Sequence, residues 1–163
     1  NRGDHDLGGH QEASGREMEV LDGDEKVLPH VFELSMGVDR SIYCILENSL
    51  DSTNGKTILR LPPYLAPIDV AILPLLSKEP LASKAREVYE ELKMDFDAIY
   101  DDSGSIGRRY VRYDEVGVPL CITIDHQTLE DNTVTVRFRD TAHQLRLDLS
   151  RVKDFLKSHL SYP

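Results

Sequence analysis

The residues best suited to chemistry lie in one stretch, "DDSGSIGRRYVRYDEVGVPL", residues 101–120. It carries three glycines, three arginines and four acids between two apolar runs. Three chemistries suit that content: a phosphate cradle, a nucleic-acid grip, or a capped surface helix. The spacing fits neither G-x-x-x-x-G-K-S/T nor G-x-G-x-x-G, which weakens the nucleotide cradle. Local physics predicts a turn at Ser103–Gly104–Ser105, with Ser105 as N-cap of a helix over about 106–116. Gly117 closes that helix and Pro119 opens the next strand. Arg108 and Arg112, spaced i,i+4, share one flank, and Arg109 adjoins them. The competing reading is a solvated helix whose arginines pair with Asp101, Asp102 or Asp114. A second polar set, Thr133, Thr135, Arg137 and Arg139, falls on one face of "TVTVRFRD" and predicts a wet or ligand-facing side. His5 and His10, beside Asp4 and Asp6, are too loosely spaced for a metal site, so no metal ligand is assigned.

These groups need elements to position them. "DVAILPL" (69–75) reads as a buried strand. "LASKAREVYEELKMD" reads as an amphipathic helix with Ala85, Val88, Tyr89 and Leu92 on one face. "DAIYDD" (97–102) and "PLCITID" (119–125) read as further strands, and "HQLRLDL" as another. "SRVKDFLKSHL" is a closing helix with Val152, Phe155, Leu156 and Leu160 inward. Alternating strand and helix implies parallel pairing through right-handed crossovers, with the last strands antiparallel because only "LEDN" separates "ITIDHQT" from "TVTVRF". The arginine-bearing helix then starts at the carboxyl end of parallel strands, where open α/β sheets bind ligands. The prediction is a three-layer, mixed-sheet α/β domain of about 100 residues. Before it, "HVFELSMG" reads as a strand and turn, and "VDRSIYCILENSL" as a helix burying Ile42, Ile45, Leu46 and Leu50. One strand and one helix cannot enclose a core. Pro62, Pro63 and Pro67 mark the junction, and the boundary is placed near 58–67.

The totals set limits. The chain has 163 residues and a formal charge of −10, with acids in excess both before and after residue 63, which excludes a bulk nonspecific nucleic-acid binder. Any nucleic-acid contact must come from a local patch on a few bases. No window reaches the ~20 apolar residues of a membrane span. The N-terminus "NRGDHDLGGHQ" has no apolar signal core. Cys44 and Cys121 each lie in apolar runs, so two buried thiols in a reducing compartment are expected.

"DDSGSIGRRYVRYDEVGVPLCITIDHQTLEDNTVTVRFRDT" closely resembles the C-terminal anticodon-binding domain of class II glycyl-tRNA synthetases, which carry D-D-S-G-S-I-G-R-R-Y-x-R-x-D-E-I-G. "PHVFELSMGVDRSIYCILENS" is similar to the motif 3 of that family. "NRGDHDLGGHQEASG" resembles the catalytic-domain segment before it. The resemblance implies a class II catalytic-domain remnant at 1–60 and an anticodon-binding domain at 61–163. It implies glycine, ATP and the cognate glycine tRNA as substrates of the intact enzyme, Mg2+ as its cation, a homodimer, and a cytoplasmic location. By residue, it implies Arg40 as the catalytic, ATP-phosphate-binding arginine, and Glu33 and Ser35 as glycine-binding. It implies Arg108, Arg109, Thr123 and His126 as anticodon-reading. The chemistry suits these roles: a guanidinium fork matches phosphate oxygens, and unstacked bases are read by edge hydrogen bonds and stacking on planar groups. Arg137 and Arg139 are second-tier candidates.

Two positions depart from the family pattern. Leu34 stands where proline is usual, which relaxes a rigid turn, and His126 stands where phenylalanine is frequent. Motifs 1 and 2 do not occur in the sequence, so no aminoacylation is expected from these residues alone. Two further readings stay open here. One is a stand-alone binding module, as in the accessory subunit of the mitochondrial DNA polymerase or a nuclear receptor coactivator. The other is a degenerate fragment with an exposed apolar helix face at 40–50.

Overall fold

The structure is a computed structural model that describes residues 3–53 and 55–161. It separates into two units, Asn1–Ser41 and Ile42–Pro163. In the first, helix α1 (His5–Ser14) has no apolar stripe and no buried residue. Strands β1 (Val20–Asp22) and β2 (Glu25–Val27) form an antiparallel hairpin with Val20 opposite Val27. The strand expected in "HVFELSMG" does not form: Val31 makes an isolated bridge with Gly3, and residues 32–37 have no regular structure. Without a neighbouring strand to pair with, its alternation has no ladder to join.

The division between the units falls within helix α2 (Val38–Ser49). Its apolar residues follow helical spacing as expected, but Ile42, Ile45, Leu46 and Leu50 are exposed rather than buried, Ile42 at 51%. Cys44 is exposed too, against the expectation of two buried thiols. Cys121 is buried, and desolvation pushes its thiol up to about 12. A two-residue pair, β3 (Leu50–Asp51) with β4 (Ile58–Leu59), follows, then a 3₁₀ turn at Pro63–Leu65.

The predicted alternation then appears in order. It runs β5 (Val70–Pro74), α3 (Leu81–Leu92), β6 (Ala98–Tyr100), α4 (Ile106–Val116) and β7 (Leu120–Ile124). It continues with α5 (His126–Asp131), β8 (Thr133–Phe138), β9 (Gln144–Asp148), a 3₁₀ turn at Leu149–Arg151 and α6 (Val152–Leu160). The sheet order is β6-β5-β7-β8-β9, with β5, β6 and β7 parallel and β8 and β9 antiparallel. This is the mixed three-layer α/β architecture the pattern predicts. Val70, Ile72, Ile122, Val134 and Val136 face α3 and α6, meeting Leu81, Val88, Val152 and Leu156. Each such buried side chain contributes about 1.5–3 kcal/mol relative to exposure. Ala71, Leu73 and Cys121 face α4, meeting Tyr113 and Val118.

Gly117 ends α4 in the left-handed region at φ 90°, and a Cβ there would lie 3.1 Å from the Leu59 carbonyl oxygen. Only glycine meets both demands. Helix α5 was not expected from "LEDN". Asp125 accepts from the Thr128 amide, and Thr128 Oγ1 accepts from the Asp125 amide, a reciprocal cap that starts the helix.

The β5–α3–β6 and β6–α4–β7 crossovers cover opposite faces. Strand order therefore reverses between β5 and β7, the place in an open α/β sheet where ligands bind outside the carboxyl ends of the strands.

Candidate nucleic-acid interface

Three connections build the carboxyl rim: the exit from β5, the 101–105 turn after β6, and the β7–α5 junction. Gly104 takes φ 73° and lets the turn reverse into α4. Asp101 ties it down. Its Oδ1 accepts from the Ser103 amide (2.8 Å) and hydroxyl (2.6 Å), and its Oδ2 from Tyr113 Oη (3.2 Å). Arg112 donates to Asp101 Oδ2 and to Ser103 Oγ. Burial pushes the Asp101 carboxyl up, but these bonds and the Arg112 charge outweigh it and hold it below the usual range. The pairing of a helix arginine with Asp101 thus holds for Arg112. Burial, then the Asp101 charge, push the Tyr113 phenol up to about 12.

Arg108 and Arg109 part company. Arg108 is exposed, and its side chain makes no hydrogen bond or ion pair among the described residues. Arg109 is 0% exposed. Its Nη1 donates to the carbonyls of Pro74 (2.6 Å) and Asp101 (3.1 Å), and its Nη2 to those of Leu75 (3.5 Å) and Gly104 (3.4 Å). The expectation that Arg109 offers donors to a base is corrected by this burial, because its fork already holds four carbonyls. Thr123 is corrected on the same ground. It is 4% exposed and its hydroxyl shares a 2.6 Å hydrogen bond with Tyr110 Oη.

His126 is exposed as the first residue of α5. Its neighbour Asp125 is gripped by both Nη atoms of Arg146, with Nη2 to Oδ1 at 2.9 Å. Burial raises the Asp125 carboxyl, and the bonds from Arg146 and Thr128 outweigh that and lower it. Tyr110, Asp125 and Arg146 were not assigned from sequence. The Asp125-x-x-Thr128 spacing was the legible signal for the cap.

The polar face of β8 is half-buried at Thr133 and Thr135 and buried at Arg137. Arg137 makes a two-armed ion pair with Asp114 on α4 (2.7 and 2.9 Å) and sits 4.7 Å from the Tyr110 ring centroid, while Thr133 and Thr135 accept from Arg146. Arg139 is buried, and donates to the carbonyls of Gly117 (2.8 Å) and Leu61 (2.7 Å) and to Asp140. Both second-tier arginines are therefore committed to partners within the protein, Arg137 on α4 and Arg139 around its C-terminal cap.

Glu33, Ser35 and Arg40 belong to the first unit. All three are exposed, Glu33 and Ser35 outside regular structure and Arg40 in the first turn of α2. His5 and His10 are exposed on α1, and among the described residues no group of three or more His, Cys, Asp or Glu is placed to hold a metal ion. No helix among the described residues is long and apolar enough to cross a membrane.

Residues 69–159 match the family model described as anticodon binding domain, and the chain belongs to that family. It is 50% identical over 143 residues to a glycine–tRNA ligase of Thermococcus gammatolerans, covering 87% of this chain and 25% of that relative. It is 48% identical over 144 residues to one of Pyrococcus furiosus, with the same shares. It is 42% identical over 175 residues to one of Treponema denticola, covering 98% of this chain and 39% of the relative. The chain thus spans a quarter to two-fifths of the length of these curated relatives.

Proposed function

We propose that residues 61–163 are the anticodon-reading domain of a glycine–tRNA ligase, and that residues 1–60 belong to its class II catalytic domain. The observation that carries this reading is the placement of exposed Arg108 and exposed His126 at the carboxyl rim of a parallel α/β sheet. The arrangement suits single-stranded bases. A guanidinium supplies edge donors and a planar face, and an imidazole supplies a ring for stacking. The net charge of −10 fits a contact confined to a few bases, since the chain has no surplus of cations to track a backbone. Arg109 acts from beneath, through the carbonyls it holds.

In the intact enzyme, Arg40 would hold ATP phosphate oxygens, and Glu33 would hold the α-ammonium of glycine with Ser35 beside it. Glycine, ATP and glycine tRNA are the substrates, and the enzyme acts as a homodimer. The names of the relatives favour this over a stand-alone module without catalysis. This chain by itself is expected to give no glycine-dependent ATP–pyrophosphate exchange.

The test is binding of glycine tRNA against the same tRNA with a swapped anticodon. The expected preference is about tenfold or more, the worth of one good base contact, and Arg108→Ala should abolish it. Equal binding of both tRNAs by the unmodified chain would remove the anticodon reading.

A further inference from the structure

Arg109 is a costly way to fill a core. It is fully buried, forms no ion pair with any carboxylate among the described residues, and its Nε has no hydrogen-bond partner. An apolar side chain of similar length would fill the space without desolvating a charge. What a guanidinium adds is a rigid planar fork that holds several acceptors at fixed spacing. Here the acceptors come from two connections distant in sequence: Pro74 and Leu75 at the exit of β5, and Asp101 and Gly104 in the turn before α4.

The consequence runs further along the rim. The Leu75 amide donates to the Ile124 carbonyl at 2.7 Å, which ties the β5 exit to the last residue of β7. The next residue is Asp125, the cap of α5, and the one after it is His126. On the other side, Arg108 precedes Arg109 on the same helix. A continuous set of bonds therefore runs from the backbone under Arg108, through the Arg109 fork and the β5 exit, to the backbone under His126. Ser77 Oγ also donates to the Asp102 carbonyl across the same gap.

We propose that Arg109 is a positioning residue: it touches no nucleotide, and it sets the separation between the Arg108 and His126 arms of the rim. This rests on the reading of the rim as the anticodon site.

The experiment uses the full chain and the variant Arg109→Lys, whose ammonium reaches fewer of the four carbonyls. In the tRNA-free protein, amide exchange over 76–77 and 102–105 should quicken about tenfold while the β7 and β8 amides stay protected. The preference for glycine tRNA over the anticodon-swapped tRNA should fall about fivefold or more, with affinity for the swapped tRNA changed less than about twofold. A merely structural role would weaken both tRNAs alike, and that result overturns the proposal. Unchanged exchange at the two connections overturns it as well. Should Arg109→Lys fail to fold, guanidinium nitrogen NMR of the unmodified chain decides. On adding a glycine anticodon stem-loop, the Arg108 Nε resonance should move and the slowly exchanging Arg109 protons should stay in place. Movement of the Arg109 resonances like that of Arg108 would make it a base contact and sink the positioning role. Loss of discrimination in the unmodified chain removes the anticodon reading instead, and is distinguishable because the tRNA-free exchange arm still reports on the Arg109 fork.

Discussion

Residues 3–41 and the five-stranded sheet domain hold their candidate site residues in opposite ways. Among described residues 3–41 none is buried, and one isolated bridge, Gly3 to Val31, links residues distant in sequence. Gly15 caps α1 onto Gln11, Gln11 Oε1 accepts from the Met18 amide, and exposed Lys26 pairs with Glu17 at 3.1 Å. Glu33, Ser35 and Arg40 rest on that uncovered ground. In the sheet domain, Arg108 and His126 stand on a rim whose underside is closed by Arg109, Asp101 and Asp125. The lesson is about opposing layers. A helix and a two-stranded hairpin cannot enclose a core, whereas a sheet with helices on both faces buries every residue of β5 and β7.

The contrast can be broken most strongly at Asp114. Its replacement by Ala leaves Arg137 buried without a partner and should destabilise the sheet domain by about 3–5 kcal/mol. Pairing it with Arg137→Met should restore much of that, read by denaturant midpoints. Acid gives the next largest effect. Asp101, Asp125 and Asp140 are held below the usual carboxylate range: burial raises each, and bonds from Ser103, Arg146 and Arg139 respectively prevail. Depressed carboxyls contribute stability that is present above their unfolded value of about 3.9 and lost as pH falls through the folded one. Melting temperature should therefore drop below about pH 4, and by less in Asp125→Asn. A flat profile there would refute the role of these bonds. Thr123→Val removes the Tyr110 bond and should cost about 1 kcal/mol. It should leave the preference for the glycine anticodon intact, since the hydroxyl faces α4. Smallest of all, Leu21→Ala in the hairpin, at a side chain 71% exposed, should change stability by less than about 0.5 kcal/mol. A larger loss would mean that the first unit has a core after all.

Much of the sheet domain was legible without coordinates. Runs of branched residues marked β5 and β7, and helical spacing marked α3, α4 and α6. Gly117 and Pro119 punctuated the α4–β7 junction, and strict alternation marked β8. These signals are local, so they survive reading one residue at a time. Helix α5 escaped because six residues are too few to express a period. The burial of Ile42, Ile45 and Leu46 was misjudged because periodicity names a face without naming what covers it.

The same limit governs the site. The sequence by itself determined that arginines cluster where parallel strands end, and that the cluster begins a capped helix. It could not decide between Arg108 and Arg109, which are identical in type and adjacent in order. Successive helix positions point about 100° apart, so one faced water and the other faced the β5 exit only once the helix had docked on the sheet. Tertiary packing made that choice, as it made Arg137 half of an ion pair rather than a ligand contact, because burial belongs to the surfaces an element meets and not to the element.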